Sequence, residues 1–234
     1  APPLARFPSG REASRVVYFP SCLTRIVGEE DGLMPRAQAM RDVLQAAGFE
    51  AVLPEGIDGL CCGLAFGSKG YPRAAARAQQ RALRAARSAG AGAPVVTDAS
   101  PCAATLGVLD FPSFWAREAL PRLSPRRLAG TVVLHPACSL VKAGGLSDLL
   151  QVARAHCEAV AVPSSAECCG FAGDRGFLLP EVTASATRAE AAEVRGTEAA
   201  YHCSTTRTCE IGMTRATGLR YVSLMHLVRE SLLG

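Results

Sequence analysis

Ten cysteines stand at positions 22, 61, 62, 102, 138, 157, 168, 169, 203 and 209. Two vicinal pairs are each followed by glycine, as Cys61-Cys62-Gly63 and Cys168-Cys169-Gly170. From Cys62 to Cys102 and from Cys169 to Cys209 the spacing is the same, 40 positions. Upstream, Val16-Val17-Tyr18-Phe19-Pro20-Ser21-Cys22 is echoed by Val132-Val133-Leu134-His135-Pro136-Ala137-Cys138. One pattern is thus written twice, offset by 107 positions at the pairs and 116 at the first cysteines. Eight cysteines fall on the repeat, while Cys157 and Cys203 do not and read as packed core thiols. Four converging thiolates suit zinc or an iron–sulfur cluster, both soft-ligand sites. Zinc knuckles usually pair their ligands as C-x₂₋₄-C, whereas these are adjacent or some 30–40 positions apart, which favours a cluster. A following glycine relaxes the turn, so that both members of a pair can face one large centre. The competing reading is eight buried, inert thiols or vicinal disulfides, which equal spacing in two copies disfavours.

The elements that would position these thiols also come in duplicate. Short β-branched or aromatic runs at 15–19 and 131–134 read as buried parallel strands, with the first cysteine on the loop beyond each. Helices are expected at 35–47 and 146–156, where apolar residues fall on one face, and Gly48 is a stop signal for the first. Strands at 50–53 and 159–162 end at Pro54 and Pro163 and lead into the Cys-Cys-Gly turns. Long helices at 72–88 and 179–194 follow, with Pro72 and Pro180 near their starts. Further strands at 94–97 and 199–203 lead to the last cysteines. Alternating strands and helices imply an α/β fold of two pseudo-symmetric repeats, each a small parallel sheet flanked by helices. In such sheets the loops beyond the strand C-termini converge on one edge, where sequence-distant thiols can meet. The expected organisation is an N-terminal extension (1–14), a first repeat (15–121), a linker (122–130) and a second repeat (131–234).

Composition bounds the partners. Apolar residues make up 49% of 234 residues and charged residues 20%, a globular balance. A net charge of +4 is no nucleic-acid footprint, and only Lys69 and Lys142 among the basic residues are lysines. No stretch approaches a membrane span. Ala1-Pro2-Pro3-Leu4-Ala5-Arg6 has neither the apolar run of a signal peptide nor an initiator Met, so the chain is expected to derive from something larger. A reducing compartment is the expectation, cytoplasmic or peripheral at the inner face of the membrane.

With Cys-Cys-Gly given twice, the chain resembles the cysteine-rich "CCG" domain. That domain is found in heterodisulfide reductases, glycolate oxidase iron–sulfur subunits and FAD-linked D-lactate dehydrogenases. Three stretches are similar to the C-terminal region of the last group: Val17 to Cys22, Cys168 to Phe177, and Arg207 to Gly212. The resemblance implies an iron–sulfur domain, [4Fe-4S] in type, within an oxidoreductase that oxidises D-lactate or a related D-2-hydroxyacid. It implies two ligand sets: Cys22, Cys61, Cys62 and Cys102, then Cys138, Cys168, Cys169 and Cys209. It implies as partners the FAD-binding and ferredoxin-like domains of a parent enzyme, and a quinone or cytochrome acceptor. No flavin or NAD fingerprint is visible here, so this segment would be the electron-transfer end and not catalytic alone. The family's full pattern ends each copy in Cys-x-x-Cys, but here the earlier positions are Ala99 and Thr206. One cluster per copy, one shared cluster, or one degenerate copy therefore stay open. The alternatives are a catalytic cluster module handling disulfides, as in heterodisulfide reductase, and a zinc-binding or structural docking module.

The remaining polar residues give weaker signals. His135, ending a strand, is read as a satisfied structural residue and left out of the ligand set, as are His156, His202 and His226. Asp174-Arg175 reads equally as a hydrogen-bonding group for the site or as a solvated loop ion pair. Arg73, Arg77, Arg81, Arg84 and Arg87 read as a solvated helix face, with docking of an acidic partner as the sharper alternative.

Overall fold

The computed structural model describes residues 14–30 and 32–234, so the expected N-terminal extension lies outside the described residues except for Ser14. Strand β1 (Ser14–Phe19) is buried from Val16 to Phe19, on both faces, as a central parallel strand must be. After it come α1 (Cys22–Ile26), α2 (Arg36–Ala46) and β2 (Phe49–Val52). The Cys-Cys-Gly turn leads to α3 (Leu64–Ser68), α4 (Pro72–Ala89) and β3 (Val95–Thr97). Then α5 (Ser100–Leu106), β4 (Leu109–Asp110) and α6 (Phe111–Phe114) follow, the last running on in helical turns to Arg122.

The second half repeats the order. It opens on β5 (Leu128–His135), α7 (Cys138–Lys142), α8 (Leu146–His156) and β6 (Cys157–Ala161). It continues through α9 (Arg175–Leu178), α10 (Pro180–Ala186), α11 (Arg188–Arg195) and β7 (Tyr201–Ser204). It ends with α12 (Arg207–Thr217), β8 (Val222–Ser223) and α13 (Leu224–Leu233). The sheets have the same order, β2-β1-β3-β4 and β6-β5-β7-β8, and every pairing is parallel. The α/β class and the two repeated sheets agree with the sequence reading.

Four details differ from it. Cys22 and Cys138 open short helices instead of lying in loops. The long helix expected over 179–194 is broken at Thr187, whose hydroxyl donates to the Thr183 carbonyl at 2.7 Å. Strand β5 starts at Leu128, inside the stretch read as a linker, and Arg127 there donates to the Cys157 and Glu158 carbonyls. Each sheet also carries a fourth, two-residue strand that gave no periodic signal.

The halves are interlocked by exchange of their closing helices. Helix α13 packs on α2 of the first half, and the helical run after β4 packs on α8 of the second. Matched ion pairs seal the exchange: Arg229 with Asp42 at 2.6 Å and Arg117 with Asp148 at 2.7 Å. One apolar core runs through both sheets, from Val16 and Phe49 through Phe114 and Trp115 to Leu149 and Leu227. Among the described residues no helix is long and apolar enough to cross a membrane.

Candidate metal centres

The cysteines of each repeat meet beyond the strand C-termini. The first cysteine sits at the start of the helix after the central strand, and the last in the first turn of the helix after the third strand. The Cys-Cys pair lies on the turn between them. Gly63 and Gly170 make that turn possible, with φ of +92° and +70°. A Cβ on Gly63 would lie 2.5 Å from the Ala75 carbonyl oxygen, and one on Gly170 2.9 Å from Ala186 Cβ. The turn is thus clamped against α4 in one half and α10 in the other, and the glycine N–H donates to the first sulfur of the pair at 3.4 Å (Cys61) and 3.5 Å (Cys168).

In the first half, Cys61 interacts with Cys22 on one side and Cys62 on the other, and Cys62 with Cys102. In the second half, Cys138 interacts with Cys168, and the Sγ atoms of Cys169 and Cys209 are 3.2 Å apart. All eight sequence-predicted residues are therefore drawn into two groups, one per half, with the same internal order. Each has a buried inner pair, Cys62 with Cys102 or Cys169 with Cys209, and a more accessible outer pair. All ten cysteines are free thiols.

Proton sharing within each group makes one sulfur acidic. Hydrogen bonds from Cys22 and Cys62 bring the Cys61 thiol down to about 2, and a hydrogen bond from Cys209 brings Cys169 to about 5. Their partners move the other way. Cys22, Cys62 and Cys209 are raised, chiefly by the hydrogen bonds they make to neighbouring sulfurs, and Cys138 chiefly by burial. Each group thus presents a thiolate among thiols whose protons a metal would displace. Soft donors in this number fit a metal ion or an iron–sulfur cluster.

Sequence reasoning missed a further donor. His135, the last residue of β5, is fully buried and offers a ring nitrogen within 4.8 Å of the donor atoms of Cys169 and Cys209. Its Nδ1 lies 2.8 and 2.9 Å from the two carboxylate oxygens of Glu190. The only available signal was its place in the repeat, where the first half has Phe19.

The two cysteines off the repeat pack in the core, as expected. Cys157 and Cys203 are fully buried in β6 and β7, the former donating to the Gly130 carbonyl. Asp174 pairs with Lys69 at 2.8 Å, both more than half exposed, a solvated pair linking the two Cys-Cys-Gly segments. His156 and His226 are held by hydrogen bonds in the helix exchange, and the arginines of α4 are exposed.

Two features frame the centres. Helix α1 touches α12, and α5 touches α7, so the two thiol groups share one edge of the molecule. On the short helices that follow the cysteines, Ile26, Leu64, Phe66, Val141, Phe177 and Leu178 are exposed. Beneath it, Arg36 pairs with Glu29 at 2.7 Å and with Glu210, while Arg207 reaches Glu210 at 3.5 Å. This buried cluster ties the first half to the helix that carries Cys209.

The family model for the CCG cysteine-rich domain matches residues 16–107 and again 132–214. No curated protein matches the chain.

Proposed function

The chain belongs to the CCG cysteine-rich domain family, and from that premise we propose that it is an iron–sulfur electron-transfer domain of a flavin-dependent D-lactate or D-2-hydroxyacid dehydrogenase. One centre would be held by Cys22, Cys61, Cys62 and Cys102, and the other by Cys138, Cys168, Cys169 and Cys209. The observation that carries this reading is the convergence of four free thiols in each half, at equivalent places beyond the strands of two equivalent sheets.

When bound, such a cluster takes up and gives back single electrons. The residues of this chain would bind it, shield it and expose one side of it. The buried inner pairs exclude water from the core-facing side. The outer pairs, with Cys168 exposed, bring the ligand shell to the surface. The apolar rim beside them suits a docked protein domain, and the FAD-binding and ferredoxin-like domains of the parent enzyme are the proposed occupants. Flavin chemistry and the transfer to a quinone or cytochrome would lie outside this segment.

A second reading has one observation in its favour. His135, Cys169 and Cys209 lie close enough to hold a single ion such as zinc. Iron and acid-labile sulfide, measured on anaerobically purified and reconstituted protein, separate the two. About four or about eight irons per chain with matching sulfide support clusters, whereas zinc without sulfide overturns them. Cys169→Ser should remove the iron of the second centre, and Cys203→Ser should leave it in place. Equal loss from both variants would refute the ligand assignment.

A further inference from the structure

His135 is held as a metal ligand would be held. It is fully buried and closed to water, and both Glu190 carboxylate oxygens lie within 2.9 Å of its Nδ1. Glu190 is itself buried, at 2% exposure, on α11. A carboxylate accepts only, so in the neutral ring the proton stands on Nδ1 and the lone pair on Nε2. That Nε2 is buried and makes no hydrogen bond of ordinary geometry, and beyond Glu190 the ring's neighbour is the Cys169 sulfur. A buried acceptor without a well-placed partner is costly, and a carboxylate that orients it adds the cost of its own burial. A carboxylate–imidazole pair aimed at a metal is the arrangement in which both costs are offset.

The fold does not require this pair. At the matching strand end of the first half stands Phe19, also buried, which has no donor. The helix in the place of α11 is α4, which contains no Asp or Glu. The same backbone is thus built with and without the pair.

We propose that His135 Nε2 is a direct ligand of the second centre, beside Cys169 and Cys209, with Glu190 orienting the ring. The imidazole then takes the place of one outer thiolate, Cys138 or Cys168, so the second centre has a mixed nitrogen and sulfur donor set and the first is all thiolate. Neutral imidazole offsets less of the iron's positive charge than thiolate, so the second centre has the higher reduction potential. The assignment rests on the reading that the second thiol group binds metal.

The test uses the full chain, reconstituted anaerobically with iron and sulfide and reduced with dithionite. Pulsed EPR should show a nitrogen coupling of directly bound strength. Growth with ¹⁵N-labelled histidine should convert that coupling to the ¹⁵N pattern, a readout that needs no variant. His135→Phe, which installs the side chain of the first half, should abolish the coupling and lower the potential of the second centre. Where this variant does not fold, the isotope result alone decides. Iron uptake without a histidine nitrogen coupling overturns the ligand assignment alone. No uptake of iron, or of cobalt(II) used as a probe, overturns the underlying metal reading and this assignment with it.

Discussion

Lowering the pH from 7.5 to 5 should cost the protein about 2 kcal/mol through His156 alone. The ring is fully buried where the two halves exchange helices. Its Nε2 accepts the indole N–H of Trp115 at 2.9 Å, so the neutral ring carries its proton on Nδ1 and donates to Ser231 Oγ at 2.8 Å. The Ser231 hydroxyl in turn donates to the Arg126 carbonyl. A second ring proton would expel the indole donor and place a charge in the core. Burial accordingly lowers His156 from the usual 6.5 to about 4. Between those values the unfolded chain binds a proton that the folded chain does not, so stability falls as pH falls. The contribution is complete above about pH 6.5, and about 3 kcal/mol of it is lost once the pH is below 4. Trp115 is the single tryptophan, so its fluorescence reports urea unfolding at this contact. His156→Leu should be less stable at pH 7.5 by about 1–3 kcal/mol, because it strands the indole N–H. At pH 5 the gap between the two proteins should narrow by about 2 kcal/mol, since the variant has nothing to protonate there. Carboxylates common to both cancel in the difference. A gap that stays constant between the two pH values would refute the reasoning.

Other consequences can be checked alongside. Gly170→Ala places a Cβ against Ala186 at a φ of +70°, so it should lower second-centre iron and destabilise the fold by about 1–3 kcal/mol, read by iron content and urea midpoint. Arg36→Met leaves Glu29 and Glu210 buried without their shared cation and should cost about 3–5 kcal/mol. The double variant Arg36→Met, Glu210→Leu should recover part of that loss, and a double variant no better than the single would show that the pair is not coupled. In metal-free protein at pH 6, iodoacetamide should alkylate Cys61 before Cys22, since hydrogen bonds make the former a thiolate and keep the latter protonated. Mass spectrometry should show that bound metal protects both.

Much of this architecture was legible because it is local or repeated. The runs Val16–Phe19 and Val132–His135 are buried on both faces, which only a doubly covered parallel strand tolerates. Cys-Cys-Gly signalled a tight turn, and the glycine is needed both for its backbone angle and for close approach of the next helix. What escaped depends on contacts far apart in sequence. Helix α13, Leu224 to Leu233, was not expected from the sequence, and nothing local signals that it crosses to pack on Asp42 and its neighbours. The break at Thr187 is set by a side-chain hydroxyl bonding back to the preceding turn, which no periodicity records. His135 looked structural because its two determinants, Glu190 and the Cys169–Cys209 pair, are 55 and at most 74 positions away.

The duplication is kept where the thiols converge and relaxed around them, and the place of that divergence matters. Both halves hold an inner and an outer sulfur pair at the same places in the fold. What differs is the end of the central strand, Phe19 in one half and His135 backed by Glu190 in the other. A change there leaves the sheet, the turn and the helix exchange intact, because a buried ring is replaced by a buried ring. It alters only the side chain that faces the inner cysteine pair. If the proposed centres form with these donor sets, they would differ in potential, and electrons would have a preferred direction, from the all-thiolate half to the one that carries His135. Two identical copies could store two electrons but could not order them, so the departure from symmetry at this one strand end is where transfer, as distinct from storage, would be built into the fold.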